Sequence, residues 1–169
     1  MSASIAIIQF PGANKAWEML MACGAQNSFY KLMNDLFKQL DSLNLPKADY
    51  AITGSGPLYA HGLIPALEND LDIVARNSAW EKAVEYNTPI TGKLGDLIVN
   101  LFNGRIQIFN EWSYVNETVN EIINNSELYN GYPFATLDHV LAFKKKLKRE
   151  KDILHIKLIE EYKKNQYHV

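Results

Sequence analysis

Residues 51–76 read Ala-Ile-Thr-Gly-Ser-Gly-Pro-Leu-Tyr-Ala-His-Gly-Leu-Ile-Pro-Ala-Leu-Glu-Asn-Asp-Leu-Asp-Ile-Val-Ala-Arg. The stretch predicts an apolar strand, a Gly-Ser-Gly turn, a short apolar helix and a second strand with Asp70 and Asp72. Because side chains alternate between the faces of a strand, both carboxylates are expected on one face, with Leu71 and Ile73 in the core. Two close carboxylates repel each other unless a cation lies between them, and such oxygen ligands suit Mg²⁺ that carries nucleotide phosphates. The sequence therefore predicts a protein that handles a nucleoside triphosphate.

The composition is typical of a globular protein with one core. The chain has 169 residues, of which 47% are apolar and 21% charged, and this length favours one domain core over two. The single cysteine, Cys23, excludes an intramolecular disulfide, and no apolar run has the length of a membrane span. Residues 1–12 do not read as a secretory signal. We therefore expect a cytoplasmic protein with no membrane partner.

The C-terminal region is locally basic, although the net charge of the chain is only −2. Residues 138–164 contain nine Lys and Arg but five Asp and Glu. A run of this kind is commonly a solvated helix face. Alternatively, a basic helix supplies cations to the far side of a phosphate ligand that two carboxylates and Mg²⁺ hold.

Periodicity and turn residues predict the remaining elements. Helices are predicted over 16–23, 28–43, 56–61, 80–86, 115–124, 136–147 and 151–163, and strands over 4–10, 50–53, 71–75, 96–101 and 105–110. Asn103-Gly104 between the last two strands is a strong signal for a β-hairpin. The predicted fold class is α+β, with a small mixed sheet that contains this antiparallel pair and is backed by helices.

The order of these motifs resembles the polymerase-beta-like nucleotidyltransferase superfamily. Gly54-Ser55, an apolar helix and then Asp70-Leu71-Asp72 are similar to the Gly-Ser turn and Asp-x-Asp strand of that family. Residues 137–162, which include Arg149-Glu150-Lys151-Asp152, are similar to the tail of small bacterial nucleotidyltransferase-like proteins. The resemblance covers residues 28–164 and implies a nucleotidyltransferase fold with a helical C-terminal tail.

The resemblance also implies a role for each matching residue. Asp70 and Asp72 would hold the Mg²⁺ that bridges the triphosphate, and the backbone of Gly54 and Ser55 would approach the terminal phosphates. Lys144 matches a tail lysine that would neutralise phosphate charge. The implied reaction transfers a nucleoside monophosphate from the triphosphate to an acceptor hydroxyl on a small molecule, a protein or an RNA.

The chain departs from the family pattern at two points. Gln107 stands where the family has a third catalytic carboxylate, and an amide coordinates a metal weakly but cannot accept a proton. Glu111, four residues further along, is an alternative third ligand. The arginine that often precedes the Asp-x-Asp strand is absent, since residues 64–67 are uncharged. An inactive protein of the same fold is therefore the alternative, binding a nucleotide or a protein partner in a toxin–antitoxin or two-subunit system.

Simpler interpretations exist for several of these residues. Asp70 would also fit a turn, and Asp72 an ion pair with a lysine. His61 in an apolar helix is typical of a buried structural histidine rather than a base. Ser55 lacks the Gly-x-Ser-x-Gly elbow of a catalytic nucleophile.

Residues 1–27 are predicted to form a strand-turn-helix extension before a nucleotidyltransferase-like domain at residues 28–169. Residues 5–14 and Trp17 resemble the start of the glutamine amidotransferase part of phosphoribosylformylglycinamidine synthase. Cys23 is not in the strand-to-helix elbow that this activity needs, so no amidotransferase activity is expected. The extension would serve as an extra layer or as a contact in a homo-oligomer.

Overall fold

A computed structural model describes residues 35–67 and 70–166 of the chain. This part is a mixed α+β structure in which helices pack on a seven-stranded mixed sheet. The predictions for residues 1–27 lie outside the described residues, and so does the first part of the helix predicted over 28–43. Within the described ranges, no helix has both the length and the apolar character of a membrane span.

Helices and strands are interspersed along the chain. The helices are α1 over 35–42, α2 (Gly56–Ala60), α3 (Asn77–Tyr86), α4 (Val119–Asn124), α5 (Leu137–Leu147) and α6 (Glu150–Gln166). The strands are β1 (Tyr50–Ile52), β2 (Leu71–Ala75), β3 (Ile90–Thr91), β4 (Leu97–Leu101), β5 (Ile106–Phe109), β6 (Glu127–Tyr129) and β7 (Tyr132–Phe134). A short 3₁₀ turn at Lys47–Asp49 leads into β1.

The strands lie in the order β3-β4-β5-β2-β1-β7-β6. Three hairpins are antiparallel, namely β3–β4, β4–β5 and β6–β7, and β1 pairs with β2 in the same sense. The parallel pairs are β2–β5 and β1–β7. In the β2–β5 pair, Asp72 is the direct partner of Gln107. The sheet is therefore mixed at its centre, where the predicted site residues lie.

Both faces of the central strands are covered, because alternate residues belong to two different apolar clusters. Leu71 packs in the larger cluster, which includes the leucines of α1. Val74 and Phe109 pack in the smaller cluster, which includes residues of α4 and α5. Asp72 and Gln107 share the face of Val74 and Phe109 because they lie two residues before them in their strands. The carboxylate and the amide thus extend an apolar strip on the face that α5 covers.

Most of the predicted elements are confirmed. The strand over 71–75 and the hairpin at Asn103-Gly104 are present, and Leu71 and Ile73 are buried as expected. Thr136 caps α5, because its hydroxyl accepts the backbone N–H of His139 at 3.2 Å. Asp70, however, stands just before β2 rather than within it.

The helix predicted over 115–124 begins later, at Val119. Thr118 and Glu121 form a capping box that sets this start. The Thr118 hydroxyl accepts the backbone N–H of Glu121, and the Glu121 carboxylate accepts the backbone N–H of Thr118. Strands β3, β6 and β7 were not predicted, since runs of two or three residues are too short to show a period.

Candidate functional site

One cleft brings together the residues that the sequence predicts for the site, except the alternative ligand Glu111. It is a cavity of about 170 Å³ at the ends of β2 and β5. Its predicted lining residues are Gly54, Ser55, Asp70, Asp72, Gln107 and Lys144. The other lining residues are Phe109, Trp112, Tyr114, Phe143, Leu147, Arg149 and Lys151. The folded chain therefore assembles this cleft from segments that are far apart in the sequence.

The polar floor of the cavity consists of Asp70, Asp72 and Gln107. Adjacent strands lie about 4.8 Å apart, so the register partners Asp72 and Gln107 have side chains side by side on one face. Glu111 does not line this cavity and instead lines a second one with Trp80. The neighbour of the two carboxylates is therefore an amide, which supplies an oxygen ligand but no proton acceptor.

The Gly54-Ser55 turn packs directly against the Asp72 carboxylate. Gly54 has a φ of +62°, a conformation that side chains disfavour. A Cβ atom at this position would lie 3.0 Å from Cγ of Asp72 and would overlap its Oδ2 atom. Only glycine therefore satisfies both the turn and the close approach to Asp72.

The charge state of Asp72 responds to its surroundings. Burial raises the pKa of Asp72 to about 7, and the neighbouring Asp70 adds to the rise. The positive charges of Lys151, Lys144 and Arg149 offset part of this shift in pKa. A cation bound between the carboxylates would favour the ionised form, as Mg²⁺ ligands require.

A metal ion in this cavity would have an oxygen-only environment. Across residues 35–67 and 70–166, no group of three or more His, Cys, Asp and Glu side chains is arranged to hold a metal. The carboxylates of Asp70 and Asp72 and the amide oxygen of Gln107 are protein oxygen donors that line the cavity. Mg²⁺ usually keeps several waters and takes one or two carboxylates plus substrate phosphates, so this donor set fits it.

The basic wall of the cavity is organised by Asp152, which is itself fully buried. Its carboxylate accepts from Nζ of Lys144 at 3.2 Å, from the backbone N–H of Arg149 at 3.1 Å and from Nε of Arg149 at 2.7 Å. Burial alone would raise the pKa of Asp152, but the hydrogen bonds and charges of Arg149 and Lys144 outweigh it and hold that pKa below its usual value. Lys144 is therefore a buried cation anchored at α6 rather than a solvated one.

Arg149 and Lys151 are site residues that the sequence reasoning did not single out. Both line the cavity at the junction between α5 and α6, close to Lys144. The Arg-Glu-Lys-Asp run at 149–152 was the available signal, because it puts two cations beside the buried carboxylate. The cavity thus combines an acidic floor with a basic wall, an arrangement suited to a metal-bound polyphosphate.

An aromatic cluster forms the remaining wall. Trp112 lies with its ring centroid 5.0 Å from Phe109, 5.2 Å from Tyr114 and 5.2 Å from Phe143. Tyr114 is the most exposed of the four rings, since the other three are buried. Burial raises the pKa of Tyr114, and the charges of Asp96 and Asp72 add to this effect. Tyr114 is therefore the ring most available to a ligand in the cavity.

Comparisons with known proteins give no match. No protein-family model matches the chain, and the searches of curated proteins and of solved structures found no match to it. An assignment of function therefore depends on the residues of the cavity and on their geometry.

Proposed function

We propose that the chain has a nucleotidyltransferase fold and that its cavity binds a nucleoside triphosphate with Mg²⁺ and transfers the nucleoside monophosphate to an acceptor hydroxyl. The observation that carries this proposal is that one cavity is lined by six predicted site residues, which come from four separate segments of the chain. The parallel pairing of β2 with β5 gives further support, because it puts Gln107 beside Asp72, where the proposal needs a third oxygen donor.

Eight of the lining residues have a role in this proposal. Asp70 and Asp72 would hold the metal, with Gln107 as a neutral oxygen donor beside them. Bound Mg²⁺ would withdraw charge from the phosphates and orient them for displacement. The Gly54-Ser55 turn would approach the terminal phosphates, and the basic wall of Lys144, Arg149 and Lys151 would balance the charge of the leaving pyrophosphate.

The reaction is a displacement at the α-phosphorus. The acceptor oxygen forms a bond to this phosphorus while the bond from phosphorus to the bridging oxygen of the β-phosphate breaks. Pyrophosphate leaves with the electron pair, and the hydroxyl proton passes to water. Catalysis of this kind depends mainly on positioning and charge stabilisation, both of which the cavity offers. Gln107 cannot take the proton, so we expect a slow rate that rises with pH.

Nucleotide binding without turnover is the second candidate function. Gln107 favours it, because the residue next to Asp72 provides no general base. In that case the chain would act as a nucleotide-dependent partner in a two-subunit system, such as a toxin–antitoxin pair.

Label transfer separates these functions. The chain would be incubated with Mg²⁺, triphosphates labelled at the α-phosphate, and hydroxyl acceptors from small molecules, proteins and RNA. We expect transfer that Asp70→Asn and Asp72→Asn abolish and that Asp138→Asn, an exposed carboxylate outside the cavity, leaves unchanged. Mg²⁺-dependent binding without transfer would establish the second function. Transfer that persists in both cavity variants would overturn the proposed site.

A further inference from the structure

A buried chain of hydrogen bonds leads from the protein surface to the residue before the Gly54-Ser55 turn. The hydroxyl oxygen of Thr53 is 3.1 Å from Nε2 of His139, and Nδ1 of His139 is 2.7 Å from Oε2 of Glu117. Thr53 is fully buried and His139 is 2% exposed, whereas the Glu117 side chain is 39% exposed. The chain thus connects three separate segments through the interior.

The chemistry of the three groups fixes the direction of each hydrogen bond. An ionised carboxylate only accepts, so Nδ1 of His139 carries the hydrogen that is donated to Glu117. Burial lowers the pKa of His139, although its hydrogen bond with Glu117 and the charge of that carboxylate oppose the shift, and the neutral ring then has a lone pair on Nε2. The hydroxyl of Thr53 therefore donates to Nε2. Glu117 determines the tautomer of His139, which in turn orients Thr53.

Thr53 is also the backbone hub of the turn. Its N–H donates to the carbonyl of Asp72 at 2.8 Å, and its carbonyl accepts the N–H of Gly56 at 3.0 Å across the turn. The side-chain bond to His139 thus anchors a residue that is tied both to Asp72 and to the turn that includes Gly54 and Ser55. None of Thr53, His139 and Glu117 lines the cavity, so their effect on a ligand there is indirect.

We propose that Glu117 and His139 are positioning residues, which hold Thr53 and thereby keep the Gly54-Ser55 turn in the geometry that binds terminal phosphates. This inference rests on the proposed function and adds residues that the motif does not contain. Thr53 itself is not a nucleophile in this arrangement, because its hydroxyl is fully buried. Its role is to transmit the orientation of His139 to the turn.

The preference for a triphosphate over a monophosphate tests the inference. Dissociation constants of both nucleotides with Mg²⁺ would be measured by calorimetry for Thr53→Val and Glu117→Leu. We expect each variant to lose about tenfold of the preference for the triphosphate over the monophosphate. This is the effect of losing one well-placed hydrogen bond. A purely structural role would lower the thermal stability or weaken both ligands equally, and it would leave the ratio unchanged.

Two control variants match these changes. Thr53→Ser keeps the hydroxyl, and Glu111→Leu removes an exposed carboxylate that does not contact His139. Both are expected to keep the wild-type ratio. An unchanged ratio in Thr53→Val and Glu117→Leu would overturn the inference alone. A wild-type chain that binds no triphosphate would overturn the proposed function, and the inference with it.

The tautomer of His139 gives a second readout that needs no nucleotide. Nitrogen-15 chemical shifts of the ring should show the Nδ1–H tautomer in the wild-type protein and in Thr53→Ser. They should show a mixture of tautomers in Glu117→Leu, because the acceptor of the Nδ1 hydrogen is lost. A wild-type ring protonated only on Nε2 would contradict the proposed direction of the chain.

Discussion

Position 54 accepts only glycine, because its positive φ and its contact with the Asp72 carboxylate both exclude a side chain. We predict that Gly54→Ala lowers the free energy of unfolding by roughly 2–4 kcal/mol and abolishes nucleotide binding. Gly95→Ala is the matched control, since Gly95 has a φ of +89° but no atom other than those of its chain neighbours within 4 Å of the added methyl group. This control should lose only about 1 kcal/mol, the strain of the backbone alone. Equal losses in urea unfolding would contradict the steric argument.

Asp72 gives the protein a pH-dependent stability. Its pKa is about 7 in the folded protein against the ordinary value of 3.8 for an aspartate in water, so the folded state binds more protons between these pH values. The free energy of unfolding contributed by this group therefore falls as the pH rises from about 4 to about 7. We predict that Asp72→Asn, which cannot ionise, is more stable than the wild type by about 2–4 kcal/mol at pH 8.

Denaturant unfolding at pH 4 and pH 8 measures this difference. At pH 4 the gain should fall below about 1 kcal/mol, because Asp72 is then protonated in the folded state and about 40% protonated in the unfolded state. Asp138→Asn, at a side chain that is 75% exposed, should change little at either pH. A variant at position 72 that is no more stable than the wild type at pH 8 would show that the carboxylate is not destabilised in the folded state.

At the scale of elements, the junction between α5 and α6 depends on one buried carboxylate. Asp152 on α6 accepts from Lys144 on α5 and from Arg149 between the helices. We predict that Asp152→Ala costs about 3–5 kcal/mol, because it leaves the buried Lys144 ammonium without a counter-charge. The exposed Lys145–Glu160 pair at 2.7 Å also joins α5 to α6.

Glu160→Gln is therefore the control for Asp152→Ala. Both members of the Lys145–Glu160 pair are exposed to solvent, so loss of the Glu160 charge should change the unfolding measurement little. Similar losses of unfolding free energy in the two variants would mean that the buried Lys144–Asp152 ion pair contributes no more to stability than the exposed Lys145–Glu160 pair.

The elements differ in how well their sequence patterns predict them. β2 and α5 were predicted because a continuous apolar run and a threonine cap are local signals. The predicted start of α4 at residue 115 is too early. Apolar residues precede Thr118, the capping residue after which the helix begins. The β6–β7 hairpin is missed because its strands are only three residues long, although Asn130-Gly131 in its turn is the same local signal as Asn103-Gly104.

At the scale of the whole molecule, some residues of the candidate site are predictable from local sequence and others depend on how distant segments pack. The motif residues Gly54, Asp70 and Asp72 were predictable because they are close in the sequence. The choice between Gln107 and Glu111 required the register of the β2–β5 pair, which is a tertiary property. Tyr114, Arg149 and the Thr53–His139–Glu117 chain were not predicted either, because packing of distant segments brings them to the cleft or to its turn.

Calorimetric titration of a nucleoside triphosphate, with and without Mg²⁺, tests the central claim most directly. We predict saturable binding that requires Mg²⁺, that Asp70→Asn and Asp72→Asn each weaken at least about tenfold, and that Asp138→Asn leaves unchanged. Two results would contradict the account: a wild-type protein that binds no triphosphate, or Asp70→Asn and Asp72→Asn variants that bind it with the wild-type affinity.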